Sequence, residues 1–270
     1  MTSVRRWASR VAALAVAAVH AGSLTLADPA EAALSDEIQV YDDALDAPGE
    51  RGLELHVNTT PSGRRTPDYP GEFVPKGTLR VTPEFSWGLA KDVDVGLYLP
   101  LLRDADGGWH FAGPKLRAKW LPLRPGDDGT GPFAGLNVEL SRVGARFEAS
   151  RTGLELRPIL GWRGRDWLAA VNPVLGWDLS PGYRGGGPFF SPSAKVTHAV
   201  AEGVSLGAEA YADLGRLQRF DPGPEQGRTL YAVADLELGR GWGLNIGLGR
   251  GLNAATDRWT LKAIVEIPIR

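Results

Sequence analysis

Residues able to do chemistry are sparse in this chain, and their spacing argues against most of the chemistry they could do. No cysteine is present, which excludes thiolate nucleophiles, thiolate metal sites and disulfides. Beyond residue 32 the histidines are His56, His110 and His198, followed by Val57-Asn58, Phe111-Ala112 and Ala199-Val200. None has a serine two residues on for the imidazole to activate, so no catalytic residue is expected. Asp104-Ala-Asp106-Gly-Gly-Trp-His110 opens like a calcium loop, but Lys115 stands where a bidentate glutamate would close it. An Asp/Gly turn between strands accounts for that stretch. Gly249-Arg-Gly251-Leu-Asn-Ala254 approaches the dinucleotide fingerprint, yet no helix follows and no βαβ unit surrounds it. No metal site and no cofactor is therefore expected. What remains is charge at every second position: Lys115, Arg117 and Lys119 form a basic ladder along one side of a strand. Such a ladder either selects anionic solutes or pairs with neighbouring carboxylates to hold a wall.

The elements that carry these residues read as strands throughout. Apolar and polar residues alternate with period 2 over 53–58, 79–89, 93–101, 115–120, 136–141, 154–162, 167–178, 193–197, 204–213, 230–237, 242–248 and 259–267. That predicts about twelve strands. Ten would result if the boundaries near 142–151 and 190–199, where alternation is weakest, are misplaced. No stretch after the first 32 residues keeps a helical period. With 35 Gly and 20 Pro the strands are frequently interrupted by turns. Connections at 89–92, 163–166, 200–203 and 239–241 are tight, and longer Gly/Pro-rich links lie between them, as in an up-and-down meander. The link 121–132 is the exception, long where a tight turn is due.

Ahead of the strands, Arg5, Arg6 and Arg10 precede the apolar run 11–19 and the small-residue site Ala30-Glu31-Ala32. That order predicts a secretory signal peptide over 1–32. Residues 33–51 carry Asp36, Glu37, Asp42, Asp43, Asp46 and Glu50, and read as an acidic periplasmic segment lying at, or entering, the mouth of a barrel formed by 52–270. A net charge of −2 argues against a protein built to coat nucleic acid.

Alternation alone fits a soluble barrel with an apolar interior or a membrane barrel with a polar one. Strand number favours the second, because roughly eight strands already make a filled or single-ligand barrel. So does the polar face, which carries both signs of charge: Glu54, Arg80, Glu84, Asp94, Lys115, Arg117, Lys119, Glu139, Glu155, Arg157, Glu209, Asp235, Glu237, Lys262 and Glu266. These residues are expected to line the lumen. Tryptophan decides the matter. Trp87, Trp120, Trp162, Trp167, Trp177, Trp242 and Trp259 share the apolar parity and sit at strand ends, as the aromatic girdles of an outer-membrane barrel require; Trp109 falls off that parity. The expectation is an all-β, antiparallel up-and-down transmembrane barrel, monomeric, in the outer membrane of a Gram-negative bacterium. Its surroundings would be lipid and lipopolysaccharide, whose phosphates Arg64, Arg65, Arg184, Arg216 and Arg219 could pair with unless they are ordinary solvated loop charges.

Two stretches, Pro83-Glu-Phe-Ser-Trp-Gly-Leu-Ala-Lys-Asp-Val-Asp-Val-Gly-Leu-Tyr-Leu-Pro-Leu101 and 247–269, resemble a family of proteobacterial outer-membrane barrels. These are the transporter-like barrels of phenol meta-pathway gene clusters and their relatives. The resemblance implies a channel for small hydrophobic or aromatic solutes and assigns no site residues. Such barrels usually end in an aromatic residue, whereas this chain ends Ile269-Arg270. A non-conducting structural or adhesion barrel, its lumen plugged by salt bridges, fits the same alternation, as, less well, does a barrel-embedded lipid-modifying enzyme.

Overall fold

The computed structural model describes residues 37–269; the signal peptide expected over 1–32 lies outside the described residues. The strands are β1 (Arg51–Ser62), β2 (Leu79–Ala90), β3 (Val93–Tyr98), β4 (Leu101–Arg103), β5 (Trp109–Phe111), β6 (Lys115–Leu123), β7 (Gly131–Arg142), β8 (Thr152–Arg163), β9 (Trp167–Asp178), β10 (Phe189–Ala201), β11 (Val204–Asp213), β12 (Gly215–Arg216), β13 (Arg219–Phe220), β14 (Gly227–Gly239), β15 (Trp242–Gly251) and β16 (Trp259–Pro268). Twelve of them, β1, β2, β3, β6 to β11 and β14 to β16, pair antiparallel in sequence order, and β16 pairs back onto β1. The barrel is closed, and closure leaves no sheet edge with unpaired backbone groups. The count is twelve rather than ten.

The short strands are extensions of this ring. β4 continues the line of β3 beyond Pro100, pairing Leu101–Arg103 with Val81–Leu79 of β2, and folds back on β5. β12 and β13 form a small hairpin in the link after β11. One rim carries tight turns at 91–92, 164–166, 202–203 and 240–241, with the longer 124–130 link as its one extended connection. The other rim carries the long loops. At the tightest turn Arg240 (φ 56) and Gly241 (φ 82) both have positive φ, the two-residue geometry that matches the twist of the flanking strands.

Parity sorts the side chains as a membrane barrel needs. Phe85, Trp87, Leu116, Trp120, Leu140, Leu160, Trp162, Trp167, Val196, Leu206, Trp242 and Leu261 stand exposed on the outer face. Trp109 also points outward, with Phe111. It looked off-parity because Gly113 (φ 127) and Pro114 separate β5 from β6, so the alternation restarts between them. The ladder is thinnest where prolines meet: between Leu156↔Leu175 and Leu160↔Val171, around Pro158 and Pro173, β8 and β9 are unpaired, and Pro173 opposes Pro192 of β10. Proline has no N–H to donate.

Candidate functional site

The lumen is lined by the polar parity and narrowed in its middle by the chain's own N-terminal segment. Lys115, Arg117, Lys119, Arg80, Glu84, Asp94, Glu139, Glu209 and Lys262 are buried on the inner face, and Glu54, Glu155, Arg157 and Asp235 are partly so. Glu237 and Glu266 share that face at the tight-turn rim, where they are exposed. The seven tryptophans expected to form girdles lie on the opposite, outer parity; Trp177 is half-buried and the other six are exposed.

The basic ladder meets carboxylates from the adjacent strands β3 and β7 and from β2 beyond. Arg117 reaches Glu84 at 2.5 Å through Nε and also bonds Asp94; Lys119 lies 3.8 Å from Asp94 and Lys115 3.5 Å from Glu139. Across the lumen Lys262 pairs with Glu209 at 2.5 Å and Lys195 with Asp235 at 3.0 Å, while Arg157 reaches Glu155 at 2.8 Å. Pairing of this kind is what a buried charge requires, since an unpaired one is strongly disfavoured in a low dielectric.

Residues 37–50 enter from the tight-turn rim. Gly49 N donates to Gly88 O at 2.8 Å and Gly88 N to Glu50 O at 3.0 Å, which continues the β1–β2 ladder and ties the end of the segment to β2. A Cβ at position 88 would collide with the Ala47 carbonyl, so glycine permits this approach. Deeper in, Arg163 holds Asp43 through two bonds, at 2.7 and 2.5 Å. At mid-lumen Asn172 clasps the Tyr41 backbone, accepting from its N–H at 2.7 Å and donating to its carbonyl at 3.0 Å. The Tyr41 and Tyr98 hydroxyls lie 2.6 Å apart, and Lys119 and Arg157 stand over the Tyr41 ring at 5.2 and 4.5 Å. Burial pushes the Tyr41 hydroxyl well above its ordinary range, with Glu37 adding to the effect, so the phenol stays neutral. Arg157 donates to the Gln39 carbonyl at 3.1 Å and Lys262 to the Ile38 carbonyl at 2.9 Å.

Val40 and Tyr41 also pack into an apolar cluster with Leu121, Phe133, Ile159, Leu168 and Ala170 on the inner wall. Parity alone assigns these wall residues to the lumen; their hydrophobicity hid their role. Tyr98, Asn172, Arg163 and Lys195 were likewise not among the residues singled out from sequence, though all four occupy the polar parity.

Two cavities flank the segment and share Gln39. One, of about 520 Å³, opens at the tight-turn rim and is lined by Glu54, Glu84, Lys119, Arg163, Lys195 and Asp235 among others. The other, of about 650 Å³, lies beneath the long loops and brings Phe73, Phe147, Tyr211 and Tyr231 together with Arg64, Arg80 and Arg157. On the outer face near the tight-turn rim, His198 stacks on Trp167 at 4.3 Å, with Nδ1 3.0 Å from the Asp166 carbonyl. Asp104 binds His110 at 2.7 Å and the Gly108 and Asp106 N–H groups; these bonds, His110's first, hold its carboxyl below the usual range. The Asp/Gly turn expected there is what forms.

No family model matches the chain, and no curated protein matches it in sequence. Solved structures do share its fold. The COG4313 outer membrane channel from Pseudomonas putida F1 superposes with a TM-score of 0.59 over 86% of this chain and 100% of that one, at 13% identity. The KdgM porin gives 0.52 over 81% and 99% at 8% identity, and the NanC porin 0.52 over 81% and 99% at 9%. The fold is that of an outer-membrane barrel.

Proposed function

We propose that this protein sits in the outer membrane, among lipid and lipopolysaccharide, and acts as a monomeric passive channel for small solutes. One observation carries the reading: a closed twelve-strand wall, apolar outside and charged inside, enclosing cavities on both sides of a segment that narrows the lumen. The likeness in fold to proteins described as a channel and as porins supports it. The loop-side cavity suits a small aromatic or hydrophobic solute, because four aromatic rings offer apolar faces, while Arg64 and Arg157 are already held by Asp68, Glu72, Glu37 and Glu155. The test is outer-membrane fractionation followed by planar-bilayer recording on the purified chain, with aromatic acids as candidate solutes. Small, solute-sensitive conductance is expected.

A second reading, a non-conducting barrel, is favoured by the segment 37–50, whose anchors occupy the mid-lumen from several strands at once. Inserted barrels that stay electrically silent, yet conduct once residues 37–46 are deleted, would favour that reading.

A further inference from the structure

We propose that Glu54, His56 and Glu84 bind one divalent transition-metal ion of the zinc type in the inner wall. Glu54 and Glu84 are register partners on β1 and β2, and His56, two residues along β1, shares their face. His56 Nε2 lies 3.2 Å from Glu84 Oε2 and 3.6 Å from Glu54 Oε2, and the three ligand atoms all fall within 4.8 Å of one another. Nitrogen and oxygen ligands around a tetrahedral ion at about 2.0–2.2 Å stand roughly 3.3–3.6 Å apart, so the 3.6 Å separation matches and the 3.2 Å one falls just short of the range. The third, between the two carboxylates, is within 4.8 Å and shortens when both ligate one ion.

The surroundings point to a cation independently of this spacing. Glu54 has a glutamate in register on either side, Glu84 on β2 and Glu266 on β16. Like charges placed directly opposite on neighbouring strands repel. Glu84 has Arg117 on its Oε1, but Glu54 Oε2 is shut off from solvent and has no hydrogen-bond partner among the described residues. A carboxylate oxygen left that way is costly. His56 is fully buried; its Nε2–H donates to the Glu84 carboxylate while its Nδ1 has no hydrogen-bond partner, so an ion bound at Nε2 takes the place of that proton, which moves to Nδ1. A neutral imidazole, two carboxylates and a divalent ion sum to zero charge. Arg117 then serves as the outer partner that orients Glu84, and the 520 Å³ cavity lined by Glu54 and Glu84 gives water the fourth position.

The experiment titrates the purified, untagged barrel in detergent with Co²⁺ alone and then Zn²⁺ alone, with folding of each variant checked by heat-modifiable gel migration. One Co²⁺ per chain is expected, with the visible absorption of a tetrahedral site, displaced by Zn²⁺. Glu54→Gln and His56→Gln should each weaken Zn²⁺ binding by more than the roughly 10–100-fold that loss of an outer-sphere partner costs. Glu202→Gln, in an exposed turn, should leave it unchanged. Glu54 accepts no hydrogen bond from the described residues at Oε2 and pairs only with His56 at 3.6 Å, so its variant is the one chosen to keep the fold. Folded wild-type barrel that takes up neither ion would overturn the proposal, as would variants that bind as tightly as wild type.

Discussion

The inner wall grips the same segment on two sides by different means. From β6 to β9, Leu121, Phe133, Ile159, Leu168 and Ala170 bury Val40 and the Tyr41 ring in an apolar cluster. From β10 to β16 the wall offers charge: Lys262 joins Glu209 to the Ile38 carbonyl, and Lys195 joins Asp235 beside it. Apolar burial is non-directional and scales with area, so it holds the segment without choosing its register. A buried lysine that must satisfy both a carboxylate and one particular carbonyl chooses a register, because any slip leaves a charge short of partners. The apolar sector supplies adhesion and the charged sector supplies position.

Breaking the charged side should cost most. Lys262→Met leaves the Glu209 carboxylate buried beside Tyr211 with its cation gone, an expected loss of about 3–5 kcal/mol in urea unfolding of the vesicle-inserted barrel. The double variant with Glu209→Gln should recover most of it. If the single substitution is silent, the pair is not the register device described. On the apolar side Leu121→Ala removes a fully buried side chain from the cluster and should cost about 2–5 kcal/mol. No charge change should rescue that loss. A spin label on Ala44→Cys, the only cysteine in that variant, should gain mobility in both single variants.

The wall was readable from sequence and its contents were not. Period-2 alternation gives twelve strands and the outward tryptophans because lipid and lumen impose opposite demands on neighbouring residues. It is weakest at β10, where it marks only 193–197 because Pro192 interrupts a strand that runs from Phe189 to Ala201. It also fails wherever the lumen is dry: Phe133 and Ile159 take the inner parity yet are apolar, and they make sense only once Val40 and Tyr41 are known to face them. The acidic run 33–51 was placed at or in the mouth of the barrel, but its anchors are backbone carbonyls and single side chains separated by more than a hundred residues. Pairings at that distance leave no periodic trace. The basic ladder shows the reverse case. Its spacing announced a common face, and the register then supplied Asp94 and Glu139 from either side, with Glu84 reaching in from β2, one strand beyond.

Between the two sectors stands Tyr41, whose ring belongs to the apolar cluster and whose hydroxyl meets Tyr98. Tyr41→Phe keeps the ring and leaves the fully buried Tyr98 hydroxyl without that partner, so a loss of about 1–3 kcal/mol is expected by the same unfolding measurement. The smallest effect should come at the rim. Asp46 is raised from its ordinary range chiefly by burial, with Asp94 adding repulsion against the opposing Ser86 hydrogen bond and the Arg117 and Lys119 charges. An acid raised in the docked state binds its proton more tightly there than in free solution. Docking is therefore favoured fully below the ordinary carboxylate range, and that advantage is lost as pH rises through the raised value. The Ala44→Cys spin label should accordingly be least mobile at acidic pH and loosen as Asp46 ionises. Asp46→Asn should flatten this dependence, because an amide keeps the shape and hydrogen-bonding reach of the protonated acid and has no charge to gain. A label that loosens on acidification, or one whose pH response survives Asp46→Asn, would place the rim's sensitivity on a different group.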